Sequence, residues 1–280
     1  MGRSKSRSDG LVASRYVDMW AFLSMHPTNV DLLGRLKSAD DRQFGTNMDV
    51  CGSVSQHSKT SGWDKTHIVG IRSDIWNPGE NKRQKTRSSL PESRLVMKMF
   101  KSTGERIRWA GTIEEITTRE VHNSIGSRRA VLSLAVLLPG YEYLVMVQQN
   151  HRTFRIPSIF TFGFYDEDQD RMRYVGIKRK WFSFGADFVI ESGGRKIGEI
   201  DGRLIGLGYN AYVRVHEPSL AKNQRFLDLL TLFAATVGHH RAMRRSVRRR
   251  VRAARSGGSF QHVVEDEEFW LLKNPRRHAA

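Results

Sequence analysis

Arg179-Lys180-Trp181-Phe182-Ser183-Phe184-Gly185-Ala186-Asp187-Phe188-Val189-Ile190 is followed, about 23 residues on, by Gly202-Arg203-Leu204-Ile205-Gly206-Leu207-Gly208-Tyr209-Asn210-Ala211-Tyr212-Val213. In each copy a basic residue leads into a largely apolar run, a glycine and a second apolar stretch. A period of that size accommodates a β-hairpin with its connections and is too short for a βαβ unit. The repeat therefore predicts successive antiparallel strands. Between the copies, Glu191-Ser192-Gly193-Gly194-Arg195 supplies a hairpin turn, because paired glycines adopt positive φ without a Cβ clash. Ser158-Ile159-Phe160-Thr161-Phe162-Gly163 reads as a third, degenerate copy.

Outward from the repeat, more strand signals precede it. Arg106–Ala110 and Glu114–Thr118 read as short strands, Val131–Leu138 as a buried strand or short helix, and Tyr141–Val147 as a strand. After Pro218 the periodicity changes to helical. Phe226, Leu229, Leu230, Phe233 and Val237 share a face, and Leu227, Leu232, Ala234 and Ala235 cover most of the rest. A helix apolar nearly all round has to be enclosed. Phe226–Val237 spans about 18 Å at helical rise, against about 30 Å for a hydrocarbon core, so enclosure by protein is expected.

Residues 1–88 are rich in Ser, Asp, Asn, Lys, Arg and Gly. They are expected to be disordered or to lie outside the domain, apart from one short helix around Val17–Leu36 and a linker over residues 77–88. A natural start at Met97 or Met99 fits that reading. The domain is then expected over 89–255, with 256–280 a flexible tail whose Glu265-Asp266-Glu267-Glu268 can fold back on nearby arginines.

The expected fold is mainly β (α+β): a closed antiparallel β-barrel around a central hydrophobic C-terminal helix. Closure removes exposed strand edges, and the helix fills the lumen. Val175-Gly176-Ile177-Lys178-Arg179-Lys180-Trp181-Phe182-Ser183-Phe184-Gly185, then Asp187–Ile190, then Glu199-Ile200-Asp201-Gly202-Arg203-Leu204 resemble the tubby C-terminal-like superfamily. The chain looks closest to its LURP-one-related and phospholipid scramblase-like members. The resemblance covers residues 95–255, best over 170–240. It implies a barrel of about twelve strands around a hydrophobic helix. It also implies association with phosphoinositides or a link to lipid movement. The cysteine-rich stretch of the scramblases has no counterpart here.

The formal net charge of +17 favours polyanionic partners. A single cysteine, Cys51, excludes a disulfide framework and a four-cysteine zinc site. Eight arginines lie between Arg241 and Arg255 with no acid among them. On a helix, Arg241, Arg244, Arg245, Arg248, Arg252 and Arg255 share one side. Lys178, Arg179, Lys180, Arg241, Arg244, Arg245, Arg248 and Arg252 are thus the candidate contacts for an anionic lipid. The alternative partners are nucleic acid or an acidic protein.

Other groups read as structural. Asp166-Glu167-Asp168-Gln169-Asp170 opens like a calcium loop, but Arg171 stands where that loop has glycine and Ile177 where it has glutamate. A solvated hairpin turn is expected there. His239 and His240 read as the polar end of the buried helix, and Glu114-Glu115 point to opposite faces of a strand. No G-x-S-x-G, H-E-x-x-H, phosphate-binding loop or dinucleotide fingerprint occurs. A non-enzymatic, cofactor-free protein is expected, cytoplasmic and peripheral at a membrane.

Overall fold

The structure is a computed structural model that describes residues 13–20, 48–58, 62–72, 75–76, 94–103, 106–127, 129–150, 158–181, 186–205 and 208–257. Twelve strands alternate along the chain: β1 Ala13–Trp20, β2 Met48–Ser58, β3 Gly62–Arg72, β4 Val96–Thr103, β5 Arg106–Glu115, β6 Ser133–Leu137, β7 Val145–Gln149, β8 Ile159–Asp166, β9 Arg171–Arg179, β10 Phe188–Ser192, β11 Arg195–Ile205 and β12 Gly208–Val215. Among the described residues, four α-helices accompany them: α1 Thr117–Ile125, α2 Pro218–Lys222, α3 Gln224–Thr236 and α4 His240–Arg255. Each strand pairs antiparallel with its sequence neighbour, and β1 closes the ring on β12, from Ala13↔Val215 to Trp20↔Gly208. The closing seam is tight. A Cβ on Gly208 would stand 2.3 Å from the Met19 carbonyl oxygen, so only glycine lets the two backbones approach.

The expected helix-filled barrel is therefore the observed architecture. All residues from Phe226 to Thr236 in α3 are buried. Phe233 meets Phe160 and Phe188 edge-on at 5.0 and 5.8 Å, and Phe226 meets Phe164 at 5.2 Å. Asn223 caps the helix by accepting from the Phe226 N–H at 3.0 Å. Along β8 the buried Phe160, Phe162 and Phe164 alternate with Thr161, Gly163 and Tyr165, the period-2 signature of a wall packed on one side. The wall around β6 is apolar on both sides. Leu134 and Val136 join the main core, while Ala135 and Leu137 join a second cluster with Trp20, Phe100 and Trp109. That explains why Val131–Leu138 gave no alternation.

The two principal repeat copies each span the end of one strand and the start of the next, β9 into β10 and β11 into β12. The third copy does not: Ser158–Gly163 enters a continuous strand, and Gly163 takes no turn. Gly193 and Gly194 have φ of 56° and 76°, forming the expected hairpin turn.

The barrel begins earlier than expected. β1, β2 and β3 all precede residue 89, and β1 occupies part of the segment expected to be a helix. These strands carry a weak sequence signal because their buried positions mix apolar residues with Arg15, Gly52, Ser53, His67 and Gly70. β2 reads Met-Asp-Val-Cys-Gly-Ser-Val-Ser-Gln-His-Ser, with two register shifts against β3 that interrupt the alternation. Residues 21–36, the 77–88 linker and the acids at 265–268 lie outside the described residues. Glu114 and Glu115 end one long strand, and Thr117–Thr118 open α1 instead of extending a second strand.

Candidate functional site

β8 and β9 run antiparallel, so Ser158 and Arg179 meet at one end of the barrel, where the Arg179 N–H donates to the Ser158 carbonyl at 3.0 Å. At the same end α3 leaves the lumen. A single 3₁₀ turn, Val237–His239, carries the chain into α4. Gly238 passes close to Tyr209 there; a Cβ would stand 3.0 Å from that of the tyrosine. The turn sets the first two turns of α4 across the mouth. The result is a cleft of about 450 Å³ with Phe160, Phe188 and Val237 in its apolar lining and Arg179, Arg241, Arg244 and Ser158 as polar groups.

The electrostatics of this cleft are one-sided. Arg244 is half-buried, and its Nη2 lies 3.4 Å from the Ser158 Oγ. Burial, then the positive charges of Arg179 and Arg248, lower its proton affinity. An arginine still keeps its charge in a protein, so Arg244 stays cationic beside the positive charges of Arg179 and Arg248. Among the described residues, neither Arg241 nor Arg244 forms an ion pair. His240, which also lines the cleft, is held neutral: burial, with Arg244, His239 and Arg179 beside it, pushes its pKa well below the usual value. Its Nε2 lies 3.1 Å from the Thr236 hydroxyl. The cleft thus offers guanidinium donors and one hydroxyl, a donor set matched to phosphate or carboxylate oxygens.

The sequence candidates divide. Arg179, Arg241 and Arg244 come together in the cleft. Lys178, one position along β9, faces outward and pairs with Glu191 on the barrel wall; strand alternation separates it from Arg179. Lys180 continues past the strand, where its N–H donates to the Asp187 carbonyl at 2.8 Å. Arg245, Arg248 and Arg252 are exposed along α4. Arg248 and Arg252 line a second, smaller cleft of about 270 Å³ with Arg129 and Arg255, between α4 and the end of α1.

Arg250 plays a different part. It is fully buried and donates to Glu120 of α1 at 2.7 Å, with Glu115 at 3.6 Å. This contact clamps α4 to the barrel and so holds Arg241 and Arg244 in place. Ser158 and His240 were missed as site residues. His240 was visible only as the end of an apolar helix, and Ser158 carried no signal at all.

The acidic turn is the solvated hairpin turn expected, with Glu167–Asp170 all exposed, and the acid before it lies inside. Asp166 is buried and accepts from Arg173 Nε at 2.7 Å. Among the described residues no cluster of ligating side chains is suited to a metal ion. No helix of the described residues is long and apolar enough to cross a membrane. No family model matches the chain, and comparisons with curated proteins and with solved structures give no match.

Proposed function

We propose that this protein is a non-enzymatic barrel of the tubby-like kind that associates peripherally with anionic lipid surfaces. The observation that carries the reading is the convergence of Arg179, Arg241 and Arg244 on one cleft, with no carboxylate among its lining residues. A phosphate head group placed there would meet guanidinium forks and the Ser158 hydroxyl. The exposed Arg245, Arg248 and Arg252 would then lie against the surrounding lipid charges, each basic side chain contributing about 1 kcal/mol near an anionic surface. The helix-filled barrel that the family resemblance implied is the architecture the chain adopts, which supports placing it beside the tubby-like proteins.

Sedimentation with phosphatidylcholine vesicles, with and without phosphatidylserine or a phosphoinositide, tests the reading. Binding is expected only with the anionic lipid and to weaken with salt. Equal sedimentation with neutral vesicles would overturn it. So would a salt-dependent mobility shift of DNA or RNA under conditions where no vesicle binds, which would favour the nucleic-acid alternative.

A further inference from the structure

The barrel wall has a local gap at the end opposite the arginine cleft. β9 pairs with β8 over eight residues, from Ile159↔Lys178 to Asp166↔Arg171. It pairs with β10 over five, ending at Ser192↔Val175. Arg171–Tyr174 therefore has a strand partner on one side only. The direction of the open side follows from two bonds. The Arg179 N–H donates toward β8, to Ser158, and the Lys180 N–H toward β10, to Asp187. Antiparallel ladders alternate strictly, so odd residues of β9 bond to β8 and even residues face the β10 side. The backbone groups of Met172 and Tyr174 thus point to where β10 has already entered its turn.

A groove of about 760 Å³ fills that space, bounded by Arg171–Tyr174, by the Ser192–Ile197 hairpin, and by His216 and Glu217. Its floor is braced. Arg173 donates to Asp166 and Glu217, each at 2.7 Å, and to Ser219 at 3.2 Å. Glu217, the one carboxylate among the lining residues, is thereby neutralised. Arg171 and Arg195 stand at the groove and form no ion pair among the described residues. Met172 and Tyr174 project outward beside them, 45% and 77% exposed.

The geometry points to a strand-addition site for an extended acidic peptide. An open strand edge is a template for another backbone. Here the peptide's N–H and C=O groups pair with those of Met172 and Tyr174. Its carboxylates meet Arg171 and Arg195, and an apolar side chain on its other face covers Tyr174. A nucleic-acid strand could stack on Tyr174 but presents no alternating backbone donors and acceptors to the edge. About 17 Å of β9, from Tyr174 to Arg179, separates the groove from the arginine cleft at strand rise, so this site is independent of the lipid-binding reading.

The test uses the full chain and a fluorescein-labelled Val-Glu-Val-Glu-Val-Glu peptide, followed by anisotropy. Binding is expected to weaken about tenfold or more when alternate peptide nitrogens are methylated, and equally in Arg171→Glu/Arg195→Glu protein. Met172→Pro, which deletes a groove-facing N–H and leaves the β8 ladder intact, is expected to weaken binding while the thermal unfolding midpoint holds. Three results overturn the proposal: no peptide binding, equal affinity for the methylated peptide, or displacement of the parent peptide by an equal concentration of oligo-dT. The first means that the arginines serve only to keep the edge from pairing.

Discussion

Inside the barrel, a polar cluster on β1, β3 and α3 interrupts the apolar core. Arg15 of β1 donates to Asp228 of α3 at 2.7 Å and to the Thr231 hydroxyl at 3.0 Å. Asp228 also accepts from Gln224, and His67 of β3 lies 3.8 Å from the same carboxylate oxygen. Burial raises the Asp228 pKa even against the opposing pull of Arg15. His67 faces Asp228, Arg15, Lys101 and the Thr66 hydroxyl. Burial, with help from Arg15 and Lys101, lowers its pKa to about 2. An unfolded histidine titrates near 6.5. Below that value the unfolded chain takes up a proton that the native imidazole refuses. The stability gained by keeping His67 neutral is therefore present above pH about 6.5 and is lost as the pH falls toward about 2. Denaturant unfolding of the parent and of His67→Asn, which cannot take up that proton, isolates the effect from other titrating groups. Their stability difference is expected to shift in favour of the variant by about 1.4 kcal/mol for each pH unit below about 6.5. A difference independent of pH would mean that His67 is protonated against Asp228 in the folded state.

Among the elements, α4 carries the functional argument and α1 holds it. The clasp is Arg250 between Glu115 and Glu120, all three fully buried. Burial, then Glu115, push the Glu120 pKa well up, against the opposing charge of Arg250. Breaking one partner of such a group typically costs about 3–5 kcal/mol. Arg250→Met is expected to destabilise the fold by that order and to speed hydrogen exchange in α4 more than in β9–β12, read by mass spectrometry. Unchanged exchange in α4 would show that packing alone docks the helix. This clasp was not legible in the sequence, because its residues come from β5, α1 and α4. What the sequence did carry was local. Glycine-marked turns exposed β9 through β12, and the all-round apolar pattern exposed α3. Arg179, Arg241 and Arg244 were each flagged as basic. Their meeting was not legible, because it depends on strand alternation and on a 3₁₀ turn at the barrel mouth. The strands β1–β3 were lost because small and polar residues fill many of their positions.

For the whole molecule, closure is the organising fact. β1 bonds to β12, the last strand, over eight residue pairs. A chain that starts at Met97 lacks β1, β2 and β3, leaving β12 and β4 with open edges and α3 uncovered on one side. Such a chain is expected to show no cooperative thermal transition by circular dichroism, whereas the full chain does. A sharp transition in the shortened chain would mean that the first three strands are dispensable.

The same closure fixes which arginines meet at the mouth and which line the outer side of α4, and that separation can be measured. Vesicle affinity should be compared for two double variants of equal charge loss, Arg241→Ala/Arg244→Ala in the cleft and Arg245→Ala/Arg249→Ala on α4 outside both arginine-lined clefts. If the cleft seats the head group, the first pair weakens binding to phosphoinositide vesicles by well over the roughly 30-fold that two surface charges account for, while the second stays near that figure. Equal losses from the two pairs would contradict a built site and leave only a diffusely basic helix.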